Sequence, residues 1–269
     1  MDQRNAYRPI DTSVAHPARR YNYWLGGKDH FAADRESGDL LAAAFPTARI
    51  AALENRDFLR RSVRHLAEAG VRQFLDIGTG LPVPDNTHEI AQRIAPESRV
   101  MYVDNDPIVM THARALTVST PQGRTGYLEA DMREPSTILN HPDVRATLDF
   151  DQPVALLLVA VLHFIHDDDQ ARSIVRRLLG ALPSGSYLAA SNLTMDYAGP
   201  EQIAKHEEMY ASGRSDARAR TKAEFGSFFA GLDLLEPGIV AVSDWHPDRA
   251  ADQRPTAEEV AINGAVGRR

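Results

Sequence analysis

Apolar and polar residues follow two alternating patterns along this chain. Short apolar runs, of which 72–77 is the first, are followed by segments in which apolar residues recur every three or four positions. The runs are typical of strands covered on both faces, and the longer spacing indicates amphipathic helices. Regular alternation of the two predicts an α/β fold whose parallel strands are joined by right-handed crossovers.

In chain order, the pattern predicts a mostly parallel seven-stranded sheet with helices on both faces. The predicted strands cover 72–77, 99–104, 125–131, 153–161, 186–192, 232–235 and 238–242, the last two as a pair. The predicted helices cover 86–94, 107–116, a short segment from Ser136, 167–182, 200–212 and 221–230. Because 153–161 is apolar throughout, we expect it at the centre of the sheet. In the tail, 250–269, the pattern predicts only a short helix at 256–262.

The first 70 residues predict a helical extension in front of the sheet. A polar arm is expected at 1–15, then a helical turn over the aromatic segment 21–25 that ends at Gly26-Gly27. Asp29 is expected to cap a second helix, and Thr47 a third that runs to about Ala69. We therefore expect one compact unit, with an arm and helical lid at 1–70 and a core at 71–269 that carries a helical insert at 193–230.

Composition narrows the class of protein. A net charge of −7 disfavours nucleic acid and anionic membranes as partners. The absence of cysteine excludes disulfides, thiolate metal ligands and a cysteine nucleophile. The first residues lack the apolar core of a signal peptide, and the longest apolar run, 154–162, is too short to span a bilayer. We expect a cytoplasmic protein that acts on a small molecule, with its oligomeric state open.

The turn Gly78-Thr79-Gly80 follows the first predicted strand directly. Glycines there allow positive φ and let a ligand approach the main chain, and ligands of open α/β sheets bind at this edge. The dinucleotide fingerprint requires a third glycine where Val83 stands, so a pyrophosphate is disfavoured. The turn therefore predicts a ligand without phosphate groups.

Acidic residues end the next two predicted strands. Asp104 lies 24 residues after Gly80, close to the offset of about 20 at which an acid holds a ribose diol, whereas Asp106 is interpreted as a helix cap. Asp131 can accept a hydrogen bond from an exocyclic amine, and Met132 can lie on an aromatic ring. For Asp131, an ordinary loop acid is the alternative interpretation.

His163 follows the fourth predicted strand, near the expected topological switch point. It is a candidate general base, and a hydrogen-bonded histidine without a chemical role is the alternative. His166 and the acids 167–169 would suit a metal ion, but consecutive acids before a helix are common caps, so no metal is expected.

Together these strand ends resemble the class I S-adenosylmethionine-dependent methyltransferases. Six segments narrow the resemblance to an actinobacterial family of such enzymes, long catalogued as a domain of unknown function: ARRYNYWLGGKDHFAADR, ENRDFLRR, RQFLDIGTGLP, YVDNDPIV, EADMREP and ALLLVAVLHFIHDD. The resemblance runs from about residue 13 to the end. Family members usually carry Thr where this chain has Val83, which puts the polar contacts of the turn in question.

The resemblance implies a Rossmann-like fold that binds S-adenosylmethionine and releases S-adenosylhomocysteine. In that fold the glycine turn faces the methionine part, the acid after the second strand holds the ribose, and the acid after the third meets adenine. The strand ends that would bind the cofactor are Asp76, Gly78, Thr79, Gly80, Asp104, Asn105, Asp131, Met132, Ala160 and His163. The family's N-terminal segment, expected to fold over the cofactor, adds Tyr21, Asn22, Gly27, Lys28 and Arg56.

The expected reaction is methyl transfer to a small-molecule acceptor. If the acceptor is a hydroxyl, a base is required, and His163 is the candidate. Tyr23 and Trp24 are expected to form a wall of the acceptor pocket. Two other classes stay open: a protein that binds the cofactor without catalysis, as a sensor or pseudoenzyme, and a nicotinamide-dependent oxidoreductase, which Val83 disfavours.

Overall fold

An eight-stranded sheet forms the centre of the computed structural model, which describes residues 11–116 and 118–269. Its strands are β1 (Gln73–Ile77), β2 (Arg99–Asp104), β3 (Arg124–Glu129), β4 (Ala155–Leu158), β5 (Tyr187–Leu193), β6 (Asp233–Leu234), β7 (Val240–Ala241) and β8 (Ile262–Arg268). Their order is β3-β2-β1-β4-β5-β8-β6, and β7 pairs with β8 beside this path. The first five strands are parallel and β8 is antiparallel to its neighbours, so the predicted mostly parallel sheet is confirmed.

Helices connect the strands and precede β1. They are α1 (Pro17–Trp24), α2 (Ala32–Ala44), α3 (Ala48–Glu68), α4 (Thr87–Ile94), α5 (Pro107–Leu116), α6 (Pro135–Asn140), α7 (Pro142–Thr147), α8 (Asp168–Gly180), α9 (Pro200–Ala211), α10 (Lys222–Gly226) and α11 (Ala257–Val260). The predicted helix positions are confirmed to within a few residues, except that α7 was not predicted and the segment after α10 continues as a 3₁₀ turn. Asp106 caps α5 as expected, because its Oδ1 accepts the Ile108 N–H at 2.9 Å.

The central strands are buried on both faces. Alternate residues of β1, Phe74 and Leu75, belong to different core clusters. The Leu75 cluster includes Met101 and Leu156 from the adjacent strands together with residues of α8, whereas the Phe74 cluster includes Phe58 of α3. Packing on both faces explains why these strands read as continuous apolar runs. It also holds the carboxyl ends of β1 to β5 along one edge of the sheet.

The C-terminal tail differs from the prediction, because 262–268 forms β8 and pairs with β5 over its whole length. The predicted pair at 232–235 and 238–242 is also corrected: β6 and β7 each pair with β8 rather than with each other. Glycine is depleted in strands, so Gly264 and Gly267 kept the sequence pattern from predicting β8. A Cβ at Gly264 would stand 2.7 Å from Val242 Cγ1, and one at Gly267 2.9 Å from Phe229 Cδ1. The close approach of these side chains therefore requires glycine at both positions, although glycine weakens the strand signal in the sequence.

The start of α2 is a second correction, because the helix begins at Ala32 and Asp29 does not cap it. The Asp34 carboxylate accepts the N–H groups of Phe31 and His16, each at 2.8 Å. These bonds tie the first turn of α2 to the start of α1. Residues 1–10 of the predicted arm lie outside the described residues.

Candidate functional site

A cavity of about 690 Å³ lies along the carboxyl edge of the sheet, a size within the range of roughly 300–1,000 Å³ typical of small-molecule sites. Residues that follow β1 to β5 line it, as do residues from α1, α3 and the start of β8. The structure places these predicted site residues on its wall: Tyr21, Arg56, Asp76, Gly78, Thr79, Gly80, Asp104, Asn105, Asp131, Met132, Ala160 and His163.

Three predicted site residues do not line this cavity: Asn22, Gly27 and Lys28. Asn22 is 2% exposed, and its Oδ1 accepts the Asp29 N–H at 3.1 Å. A Cβ at Gly27 would stand 2.2 Å from Asn22 Nδ2, so glycine is required there. The Asn22–Gly27 contact folds the turn after α1, and Lys28 is exposed. Asn22 and Gly27 therefore shape the main chain of this segment, whereas Tyr21 and Trp24 of the same segment reach the cavity.

The Asp104 carboxylate, at the end of the adjacent strand, fixes the main chain of the glycine turn. Gly78 and Gly80 have φ values of 76° and 67°, a region in which side chains other than glycine are strained. Asp104 accepts the Gly80 N–H through Oδ2 and the Asp106 N–H through Oδ1, each at 2.9 Å. Within the described residues, no atom lies within 4 Å of the position a Gly80 Cβ would take. The turn thus presents bare main chain to the cavity, beside a buried acid whose pKa burial raises.

Asp76 and Arg56 form a second polar group on the cavity wall. Asp76 is 5% exposed, and burial raises its pKa to about 6, although the Thr87 hydroxyl donates to its Oδ2 at 2.6 Å. Arg56 donates through Nη2 to the Asp85 carbonyl at 2.9 Å. Its buried Nε has no hydrogen-bond partner among the described residues. An acid and a guanidinium with a free donor suit a ligand that carries both an ammonium and a carboxylate group.

Asp131 and Met132 follow β3. Asp131 accepts the Arg133 N–H at 2.8 Å, and its Oδ2 lies 3.0 Å from Arg133 Nη1 in an ion pair that the sequence did not predict. Met132 is 6% exposed and packs in the core cluster that includes Leu128. Since each carboxylate oxygen has more than one acceptor site, Asp131 retains capacity for a ligand.

His163 lies at the wall in its neutral form. Its side chain is buried, and Nδ1 has no partner in the part of the chain that the structure describes. Burial lowers the pKa of this imidazole to about 4. The Arg218 N–H donates to the His163 carbonyl at 2.8 Å, which fixes the main chain here. The neutral ring lies on the cavity wall, where an imidazole can accept a proton or a hydrogen bond from a bound molecule.

A buried hydrogen-bond chain supports the strand end before His163 and was missed by sequence reasoning. Ala160, with a φ of 55°, donates its N–H to Ser191 Oγ at 2.9 Å. Ser191 donates to Asn55 Oδ1 at 2.6 Å, and Asn55 Nδ2 donates to the Tyr21 hydroxyl at 3.1 Å. The chain joins four distant segments, so no local spacing marks it.

An ion pair on the opposite wall was also missed. Arg20 is 6% exposed, and its Nη2 lies 2.5 Å from Asp216 Oδ1. The pair joins α1 to the segment 212–220, and both of its residues line the cavity. Trp24 lines the cavity next to it, as predicted, but Tyr23 does not: its hydroxyl donates to Asp39 Oδ1 at 2.7 Å. The expectation that Tyr23 forms part of the wall was therefore wrong.

Among the described residues, no group of three or more acidic, histidine or cysteine side chains is arranged to hold a metal ion. No described helix combines the length and the apolar character needed to cross a bilayer.

The sheet order, the glycine turn after β1 and the acids after β2 and β3 define a Rossmann-like, class I S-adenosylmethionine-dependent methyltransferase. Comparison with known sequences agrees: the chain matches the S-adenosyl methyltransferase family over residues 3–269 and belongs to it. No match was found among curated proteins.

Solved structures support this assignment. A DUF574 family protein from Streptomyces avermitilis is 53% identical, with 97% of this chain and 99% of that chain covered and a TM-score of 0.91. A Thermobifida fusca protein, assigned to the methyltransferases by inference, is 40% identical over 98% of this chain and 99% of its own, with a TM-score of 0.87. An O-methyltransferase family protein from Burkholderia thailandensis, 16% identical over 83% of this chain and 58% of its own, has a TM-score of 0.51 and shares the fold alone.

Proposed function

We propose that the protein binds S-adenosylmethionine along the strand ends and transfers its methyl group to a small-molecule acceptor in the same cavity. The observation that carries this proposal is the gathering of Gly80, Asp104, Asp131 and His163 around one cavity of about 690 Å³. When bound, the cofactor supplies an activated methyl group. The protein then needs to hold both reactants in line and exclude water.

Asp104 would hold the ribose. Its two oxygens already accept main-chain N–H groups, which fixes the carboxylate and leaves lone pairs for the two ribose hydroxyls. The missing third glycine at Val83 agrees with a cofactor that has no phosphate. The main chain of the glycine turn would lie against the rest of the nucleoside.

Asp76 and Arg56 would hold the amino-acid end of the cofactor. The Arg56 guanidinium on the cavity wall offers a charged donor for a carboxylate, and Asp76 is an acceptor for the ammonium group. Asp131 would accept from the adenine amine, with Met132 against the ring.

His163 would receive the proton of an acceptor hydroxyl. Its imidazole is neutral across the physiological range, as a base must be. A pKa near 4 makes it a weak base at rest. It therefore acts first as a hydrogen-bond acceptor that orients the hydroxyl, and takes the proton as that oxygen becomes acidic during transfer.

Calorimetry with S-adenosylmethionine, S-adenosylhomocysteine and NAD tests the cofactor assignment. We expect both sulfur nucleosides to bind and NAD to bind far more weakly, and a preference for NAD would overturn it. Transfer of a labelled methyl group to small molecules of diverse cell extracts tests catalysis. Tight cofactor binding with no labelled product in any extract would favour a sensor.

A further inference from the structure

Sheet order divides the cavity into two parts. The part over β3, β2 and β1 carries the polar groups assigned above to the cofactor. The part over β4, β5 and the start of β8 is different in character. We call it the acceptor chamber and define it by these lining residues: Phe45, Met195, Ala198, His206, Val260 and Ile262.

Contacts between elements show that the chamber is one continuous wall. The Phe45 ring, after α2, lies edge-on to His206 of α9 with the centroids 6.2 Å apart. Leu193 at the end of β5 pairs with Ile262 of β8. Gln202 of α9 lies 3.4 Å from Glu258 of α11. Three segments far apart in sequence therefore close around the same space.

Apart from His206, the residues that define the chamber are apolar, and polar groups from Gln202, Glu258 and Glu259 lie on its α9 and α11 side. His206 is 6% exposed and stacks on Tyr210 with ring centroids 6.2 Å apart. Burial lowers the pKa of His206, which keeps the ring neutral. His163, at the border with the cofactor part, is neutral for the same reason.

Each arginine on the described cavity wall is either paired with an acid or lies in the cofactor part. Arg20 pairs with Asp216, and Arg133 pairs with Asp131. Arg56 lies beside Asp76 in the cofactor part. Glu258 adds a negative charge on the α11 side of the chamber. An anionic group buried in the chamber would meet no free cation, and an unpaired buried charge costs several kcal/mol.

We propose that the methyl acceptor is a largely apolar molecule without an anionic group, whose protic group faces His163 and whose body lies against Phe45 and Met195. This proposal rests on the proposed function and adds the chemical class of the acceptor to it. Phe45, Met195, Val260 and Ile262 give the chamber an apolar wall for the body, and the neutral His163 ring lies on the cavity wall for the protic group.

The test uses the full chain saturated with S-adenosylhomocysteine, whose binding is measured first. Calorimetry then compares matched probes: 2-naphthol against 6-hydroxy-2-naphthoate, and 7-hydroxyflavone against its 4′-carboxylate. We expect the neutral member of at least one pair to bind at least about tenfold more tightly than its carboxylate. Equal or tighter binding of the carboxylates, or binding of no probe, overturns the acceptor class while the cofactor assignment stands. Failure of S-adenosylhomocysteine to bind would instead count against the proposed function.

A charge placed in the chamber gives an independent test. Met195→Lys adds a cation of similar length to the wall, so we expect it to tighten binding of the carboxylate probe at least about tenfold relative to the unaltered protein. Ala204→Lys is the matched control, because Ala204 is an exposed residue of α9 outside the cavity wall. An equal gain in both variants, or no gain in Met195→Lys that still binds S-adenosylhomocysteine normally, contradicts the proposal.

Discussion

Asp104 accepts the main-chain N–H of Gly80 at 2.9 Å, so the acid that ends β2 also fixes the turn that ends β1. Neighbouring parallel strands place the two residues side by side although they are 24 positions apart. A second bond, from the Asp106 N–H, leaves the carboxylate with a single orientation. One side chain thus sets both the ribose position and the shape of the main chain beside it in the proposed complex.

Substitution of Asp104 tests this double role. We expect Asp104→Ala to weaken S-adenosylhomocysteine binding by about 2–3 kcal/mol, because the ribose hydroxyls and the Gly80 N–H all lose a charged partner. Calorimetry measures the change, and circular dichroism checks folding. Asp252→Ala, at an exposed acid, is the control and should bind normally. Unchanged affinity in folded Asp104→Ala would remove the ribose assignment.

Asp76 predicts a pH dependence of cofactor binding. Its pKa of about 6 means that the carboxylate becomes protonated below that pH and can no longer hold an ammonium group. We expect affinity for S-adenosylhomocysteine to be constant above pH 7 and to fall about tenfold per unit well below pH 6. In Asp76→Asn, binding should be weaker and this fall absent. The same slope in both proteins would show that another group is responsible.

The raised pKa of Asp76 also predicts how the stability of the free protein depends on pH: stability should fall as pH rises, whereas cofactor affinity should increase. Because the folded pKa of about 6 lies above the ordinary value of 3.8, the native state binds more protons between these two pH values. The free energy of unfolding should therefore fall by up to about 3 kcal/mol from pH 4 to pH 6 relative to Asp76→Asn, and the difference should stay constant above pH 7. Urea unfolding at several pH values measures it. A difference that grows with pH would mean that the acid is charged and paired in the free protein.

The Arg20–Asp216 ion pair predicts coupling between α1 and the segment 212–220. Asp216 is 38% exposed, so solvent screens the pair, and we expect a coupling energy of about 1 kcal/mol from a double-mutant cycle of Arg20→Ala and Asp216→Ala. Either single variant should also release S-adenosylhomocysteine faster, because the two walls of the cavity lose a contact. Stopped-flow displacement measures this rate. Arg172→Ala, which removes an exposed pair with Asp169, is the control. If the stability effects of the two single substitutions simply add in the double variant, the two residues are not coupled.

We expect substitution of Asn55 to lower the free energy of unfolding, because its side chain is hydrogen-bonded to two buried hydroxyl groups. Asn55→Ala leaves both Ser191 and Tyr21 without this partner, and we expect a loss of about 2–4 kcal/mol in the free energy of unfolding. Chemical denaturation measures the loss. Asn140→Ala, at an exposed residue that ends α6, should change stability far less. Equal effects of the two substitutions would mean that the buried chain contributes little.

Sequence reasoning succeeded where a residue's role depends on its neighbours in the chain. The apolar runs of β1, β2 and β4 mark buried strands, and Gly78, Asp104 and His163 lie at or just after the ends of these runs. Asp131 follows β3, which is less apolar. Since parallel strands end along one edge, placing each strand places its terminal residue too. The same logic failed for β8, where close packing required glycines that local propensity disfavours.

By itself, the sequence determined the α/β class, the order of strands and, apart from α7, of helices up to β5, and which strand-end residues meet in one cavity. Only the tertiary structure decided the position of β8 inside the sheet, the Tyr21–Asn55–Ser191 chain, the Arg20–Asp216 pair and the boundary of the acceptor chamber. The reason is the range of the interactions. Periodicity and turn chemistry act over a few residues, whereas Asn55 and Ser191 are 136 positions apart and Arg20 and Asp216 are 196 apart, so their contacts exist only once the whole chain has packed.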